Sequence, residues 1–170
     1  MSDKIILLGF MGCGKSTIGK TLAKQLSYKF VDLDDEIEKA ENTTISKIFE
    51  DNGEAYFRKL ESKILKTTLR EKGNVVVAMG GGTPCHNGNM KWINKYTSFY
   101  IRCGVDVLTK RLSKEKSHRP IIAHKKKNEL KRFISKKLSE RRVFYNQADH
   151  VLVGSRPVIN IVSRVITLLG

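Results

Sequence analysis

The sequence predicts an α/β fold, a three-layer sandwich in which a parallel sheet is covered by helices on both faces. Three observations carry this reading. Short aliphatic runs of strand length alternate with segments of helical period along the chain, the pattern of β-α-β units and hence of parallel strands. The first run ends at Gly9 in a glycine-rich loop that opens directly into a helical period. The next two runs end in an acidic cluster and a glycine triplet, so the unusual residues collect where parallel sheets bind ligands, at the carboxyl ends of their strands.

Ile5 to Leu8 reads as a buried strand feeding a tight turn. From Lys15 to Leu26, the residues Ile18, Leu22 and Leu26 recur every four positions, one face of a helix packed on a core. Phe30 and Val31 begin a second strand that ends at Asp32, Asp34, Asp35 and Glu36, and helical periods follow in Ile45, Ile48 and Phe49 and in Phe57, Leu60 and Ile64. Val75, Val76 and Val77 form a third strand, broken by Gly80, Gly81, Gly82 and Pro84. Thr97 to Arg102 is a fourth strand, Val105 to Leu112 a helix, Val151 to Val153 a last strand, and Ile161, Val162, Val165 and Ile166 mark a closing helix. Residues 113–128 carry the least pattern, with many charges and Pro120, and are expected to form a mobile loop. With no repeat, low-complexity tract or linker, residues 1–170 form one domain.

A hydrophobic content of 40% supplies one continuous core, and no stretch approaches the length of a membrane span. The run Ile5 to Leu8 is too short for a signal peptide, so a cytoplasmic location is expected. Cys13, Cys85 and Cys103 are an odd set without paired spacing, which indicates neither a disulfide framework nor a zinc site. Cys85-His86, with no further ligands nearby, reads as loop. The net charge of +15 attracts anions in general and names no partner. Much of it sits in Lys125, Lys126, Lys127, Lys131, Arg132, Lys136 and Lys137, which read as a solvated helix face and the loop before it.

Chemistry concentrates in a few places. Gly9 to Thr17 satisfies G-x-x-x-x-G-K-[ST] between a strand and a helix, the context that a phosphate-binding loop requires. There the backbone N–H groups of Gly12, Cys13, Gly14, Lys15, Ser16 and Thr17 and the helix N-terminus converge on phosphate oxygens. Lys15 reaches the outer phosphates and the Ser16 hydroxyl ligates Mg²⁺. The loop therefore predicts ATP as co-substrate with one Mg²⁺. Asp35 and Glu36 are accounted for as helix N-terminal acids. If the strand stays extended to Asp34, then Asp32 and Asp34 share a side, which suits one carboxylate to hydrated metal and the other to the proton of an attacking hydroxyl. Arg58 and Glu61 lie three apart on a helix and form either an ordinary ion pair or part of a site. The glycine triplet leaves room for a ligand or a second backbone. Arg119-Pro120 is either a lid arginine or one charge among many.

In order and spacing this set resembles the shikimate kinase family over nearly the whole chain. The matching features are the loop Gly9 to Thr17, Asp32 and Asp34, Phe57-Arg58 with Glu61, Gly80 to Gly82, Arg119-Pro120, and Arg141 four residues before Tyr145. The resemblance implies five parallel strands, substrate-binding helices at about 34–61, a lid at about 113–128, and transfer from ATP to the 3-hydroxyl of shikimate on the way to chorismate and the aromatic amino acids. It implies that Asp34, Arg58, Gly81 and Arg141 bind shikimate, that Asp34, Lys15 and Arg119 are catalytic, that Ser16 and Asp32 hold the metal, and that Arg156 packs on adenine. The choice of Arg141 over Arg142 rests on the spacing to Tyr145, and Lys125 to Lys127 lengthen and charge the lid. A monomer is expected, without specific nucleic acid or membrane partners. The competing readings are a gluconate or nucleoside monophosphate kinase, which need not read a ring carboxylate, and a nucleic-acid-binding NTPase, suggested by the charge alone.

Overall fold

The computed structural model describes residues 3–114 and 125–170. Five strands form one parallel sheet: β1 (Lys4–Leu8), β2 (Lys29–Asp32), β3 (Val75–Ala78), β4 (Thr97–Arg102) and β5 (His150–Val153), in the order β2-β3-β1-β4-β5. Strands β1 and β3 are buried at every position, which is why their sequences run aliphatic without alternation. The edge strand β5 alternates instead, with Leu152 buried and Val151 and Val153 exposed.

The helices are α1 (Lys15–Leu26), α2 (Leu33–Glu41), α3 (Ile45–Arg70), α4 (Met90–Ile93), α5 (Val105–Lys114), α6 (Lys127–Tyr145) and α7 (Val158–Leu169), with a short 3₁₀ turn at Thr83–Cys85. The expected alternation, the five parallel strands and the helix-covered sheet are all present. Helix α1 packs against α7 and against β2 and β3, while α5 packs against α6. In α1, Gly19 lets the helix approach the sheet closely, since a Cβ there would meet Phe30 Cε2 at 2.4 Å and Leu7 Cδ1 at 3.2 Å. Helix α6 presents Leu130, Ile134, Leu138 and Tyr145 to the core, so the basic residues of that stretch do occupy the outer face of a helix.

Two local departures matter. Strand β2 stops at Asp32, whose side chain caps α2 by accepting a hydrogen bond from Asp34 N–H at 3.1 Å. Asp34 is therefore helical rather than extended, because Asp32 is a good N-cap residue directly before a helix-forming run. Helix α3 is interrupted at Gly53, whose φ of 78° and ψ of 173° are non-helical.

Of the segment expected as a lid, residues 113 and 114 complete α5 and 127 and 128 begin α6; residues 115–124, with Arg119, lie outside the described residues. Trp92 sits between α3 and the start of β4, with Lys95 Nζ, Arg70 Cζ and Lys66 Nζ at 4.3, 5.0 and 5.5 Å from its ring centroid.

The register fixes where loops leave the sheet. Ala78 pairs with both Leu7 and Asp32, so the loops after β1, β2 and β3 emerge side by side at one level.

Candidate functional site

The loop after β1 wraps the N-terminus of α1. Gly14 caps that helix at φ 101° and provides no side-chain hydrogen bond, which leaves the first-turn N–H groups directed at the loop mouth for an anion. Gly12, at φ 77°, lies so close to α5 that a Cβ would stand 2.9 Å from Leu112 Cδ2. Lys15 Nζ donates to the carbonyls of Gly9 at 2.8 Å and Phe10 at 3.0 Å and lies 3.6 Å from Cys13 Sγ. The ammonium is thus held inside the loop and is nearly buried. Ser16 Oγ donates to Asp32 Oδ2 at 2.6 Å, so a hydroxyl and a carboxylate stand together at the helix start.

These groups open on a cleft of about 390 Å³ lined by Gly12 to Ile18, Asp32, Asp34, Gly81, Arg111 and Arg156, among others. Burial raises the Asp34 carboxyl to a pKa of about 6, with Asp32, Glu61 and Glu38 adding to the shift and Lys15 opposing it.

The second half of the site is assembled around the glycine triplet. A Cβ on Gly80 would stand 2.7 Å from Asp34 Oδ1, one on Gly81 3.2 Å from Arg141 Nη1 and 3.3 Å from Met11 N, and one on Gly82 2.8 Å from Arg58 Nη1. A side chain at Gly80 or Gly82 would displace one of these groups. Arg58 donates to Glu61 Oε2 at 2.9 Å and to Glu54 Oε1 at 3.2 Å. Glu61 is 1% exposed and also accepts from Thr83 Oγ1 at 2.6 Å. Arg141 lies over the Phe10 ring at 5.3 Å. Tyr145, four residues along α6, donates its hydroxyl to the Gly81 carbonyl, and its burial moves the phenol well above its ordinary range. Arg142 is exposed.

The structure therefore brings Asp34, Arg58, Gly81 and Arg141 together, next to the cleft that holds Lys15, Ser16 and Asp32. Gly12, Cys13, Gly14, Thr17 and Arg156 line that cleft as well. Sequence reasoning missed Arg111, which donates to the carbonyls of Gly12 at 3.3 Å, Cys13 at 3.1 Å and Gly154 at 3.0 Å and so ties the phosphate loop to the turn after β5. An arginine in the last turn of a surface helix gives no signal of this. Glu61 was legible as an ion-pair partner of Arg58 and as a member of the matched motif, and Thr83 not at all. Cys13 and Cys103 are both buried in this region, and burial pushes the Cys103 thiol up to about 11.

Two hard oxygens side by side, Ser16 Oγ and an Asp32 carboxylate oxygen, suit Mg²⁺, which keeps several waters and takes few protein ligands. Among the described residues no group of three or more His, Cys, Asp or Glu forms a dedicated metal cage.

The family model described as "Shikimate kinase" matches residues 11–169. The shikimate kinase of Flavobacterium johnsoniae is 42% identical over 171 residues, covering 99% of each chain. The crystal structure of shikimate kinase from Bacteroides thetaiotaomicron superposes with a TM-score of 0.94 at 36% identity over 98% of each chain. That of shikimate kinase from Acinetobacter baumannii in complex with shikimate gives 0.88 at 27% identity, covering 99% of this chain and 93% of the other.

Proposed function

Because the chain belongs to the shikimate kinase family and so transfers a phosphoryl group from ATP to shikimate, we propose that the two substrates meet at the Gly81 backbone. ATP lies on the phosphate-loop side and shikimate on the side of Arg58 and Arg141. One observation carries this assignment: the glycine triplet has Asp34 at Gly80, Arg141 and the phosphate-loop amide of Met11 at Gly81, and Arg58 at Gly82. Two guanidinium groups near one backbone turn suit a carboxylate, which planar forks bind in a bidentate way. A carboxylate on the opposite side suits hydroxyls.

In such a transfer most of the acceleration comes from position and charge. The N–H groups at the start of α1 hold the phosphate chain. Lys15, together with Arg119 from outside the described residues, offsets charge on the transferring group. Mg²⁺, held through Ser16 and, by way of water, Asp32, would neutralise charge on the β- and γ-phosphates. Asp34 accepts a hydrogen bond from the 3-hydroxyl, aims it at the γ-phosphorus and takes its proton at a carboxylate oxygen. A carboxyl pKa of about 6 suits that task, since a base works best when its pKa lies near the working pH. Arg156 packs on the adenine in this proposal, which its position in the cleft wall supports.

The proposed scheme calls on no group from a second copy of the chain, and the proposal includes a monomer. Among the described residues no helix is long and apolar enough to cross a membrane. The test is ADP release with ATP and Mg²⁺ against a panel of acceptors. Turnover is expected with shikimate, and loss of it when Mg²⁺ is chelated. Equal turnover with gluconate or a nucleoside monophosphate would overturn the assignment of the acceptor side.

A further inference from the structure

Arg58 is useful as a carboxylate receptor only if its guanidinium is held still, and its two carboxylate partners differ in what they contribute. Glu54 is 61% exposed, so that pair is screened by water and holds little. Glu61 is 1% exposed. A buried carboxylate needs its oxygens satisfied, and among the described residues each has one partner: Oε2 takes Arg58 Nη1, and Oε1 takes the hydroxyl of Thr83 at 2.6 Å.

Thr83 is itself fixed from three directions. Its N–H donates to the Gly80 carbonyl at 3.1 Å, closing the turn that carries the triplet. Its carbonyl accepts from Asn89 Nδ2 at 2.9 Å. Its side chain is wholly buried, as is Asn89. Asn87 adds a second tie to the same helix, donating to the Arg58 carbonyl at 2.9 Å and to Ser62 Oγ at 3.1 Å. The turn after β3 is thus clasped to α3 around Arg58.

We propose that Thr83 is a positioning residue for the acceptor: its buried hydroxyl orients the Glu61 carboxylate, which in turn aims the Arg58 guanidinium at the substrate. Thr83 touches no reactant in this scheme and acts through Glu61. Without the hydroxyl, Glu61 Oε1 is a buried acceptor lacking a donor, and the carboxylate turns away from Arg58 to find one. The inference rests on the reading that Arg58 meets the shikimate carboxylate.

The experiment uses the full chain with Thr83→Val and Thr83→Ser, each also placed in an Arg58→Ala background, with steady-state kinetics for both substrates and a thermal melt of every variant. Thr83→Val is expected to raise KM for shikimate about ten- to a hundredfold, the worth of a hydrogen bond to a charged group, with the loss concentrated in that constant and KM for ATP moving less than twofold. Thr83→Ser restores KM for shikimate, and in the Arg58→Ala background Thr83→Val adds nothing further. An unchanged KM for shikimate in Thr83→Val, a serine variant as impaired as the valine one, or an undiminished effect without Arg58 would each overturn the proposal. If Thr83→Val is recovered unfolded, Thr83→Ala is read in its place. Failure of the parent chain to phosphorylate shikimate would instead strike the underlying assignment, and the parent control separates the two.

Discussion

At the scale of single residues, the role proposed for Asp34 sets function against stability. Folding raises its carboxyl from the ordinary 3.8 to about 6, chiefly by burial. The folded protein thus prefers the protonated form. The stability this group contributes is complete below pH 3.8 and is lost as pH rises through about 6. Two units correspond to about 3 kcal/mol at most, less what water screens at the exposed edge of the side chain. Asp34→Asn is therefore expected to melt at a higher temperature than the parent at pH 8 and at a similar one near pH 4. Its kcat should fall about 10²- to 10⁴-fold, the worth of a positioned base. Equal melting temperatures at pH 8 would contradict the burial cost, and near-parent kcat would remove the proton-accepting role. Arg141 and Arg142 form a second residue-scale contrast. Arg141→Ala should weaken shikimate binding by about 2–5 kcal/mol, as for a buried charge that loses its partner. Arg142→Ala should leave binding unchanged in calorimetry, because that side chain is exposed. Arg141 and Arg58 lie 83 positions apart, so no local pattern could pair them; only the ordered set of family motifs did. The phosphate loop was legible because all its groups are contiguous. Thr83 and Arg111 were not, since their residue types are ordinary and their partners lie 22 and about 98 positions away.

At the scale of elements, the sequence was read well where apolar period and element coincide and poorly where a polar residue sets the boundary. The strands and α1 belong to the first kind. Helix α2 belongs to the second: D-x-D after a strand reads equally as extended chain, and only the capping role of Asp32 places Asp34 in the first turn. Helix α6 carries Leu130, Ile134 and Leu138 at helical spacing, but its lysines and arginines draw attention to charge instead. Helix α3 reads as two helical periods, one in Ile45, Ile48 and Phe49 and one in Phe57, Leu60 and Ile64, and in the structure these join into one helix that Gly53 breaks in a backbone region essentially confined to glycine. A Cβ there would meet nothing within 4 Å, so the cost of Gly53→Ala is conformational alone. It should amount to about 1–3 kcal/mol of stability. Because Arg58 follows five residues later on the same helix, KM for shikimate should rise with it while KM for ATP holds. A Gly53→Ala variant as stable as the parent in urea titration would contradict the strain.

At the scale of the whole molecule, the charge of +15 is unevenly spread. Nine of the 17 acidic residues, but only two of the 32 lysines and arginines, lie between positions 32 and 54. That acidic lobe comprises α2 and the first part of α3, and the remainder of the surface is strongly basic. Binding of a nucleic acid to that surface is expected to be nonspecific. Its affinity should fall steeply and linearly on a log-log plot of binding against salt, and sequence-selective binding that persists at physiological salt would contradict this. The cation-ringed Trp92 has a different consequence. It is the sole tryptophan of the chain, and it lies by the last turns of α3 and just before β4, at the amino ends of the strands. The proposed substrate cleft opens at the opposite, carboxyl ends. The protein thus carries a single indole fluorophore, one that monitors the integrity of the scaffold and is blind to occupancy. Its emission should shift with the same denaturant midpoint as the far-ultraviolet circular dichroism, yet stay constant while ATP or shikimate is titrated in.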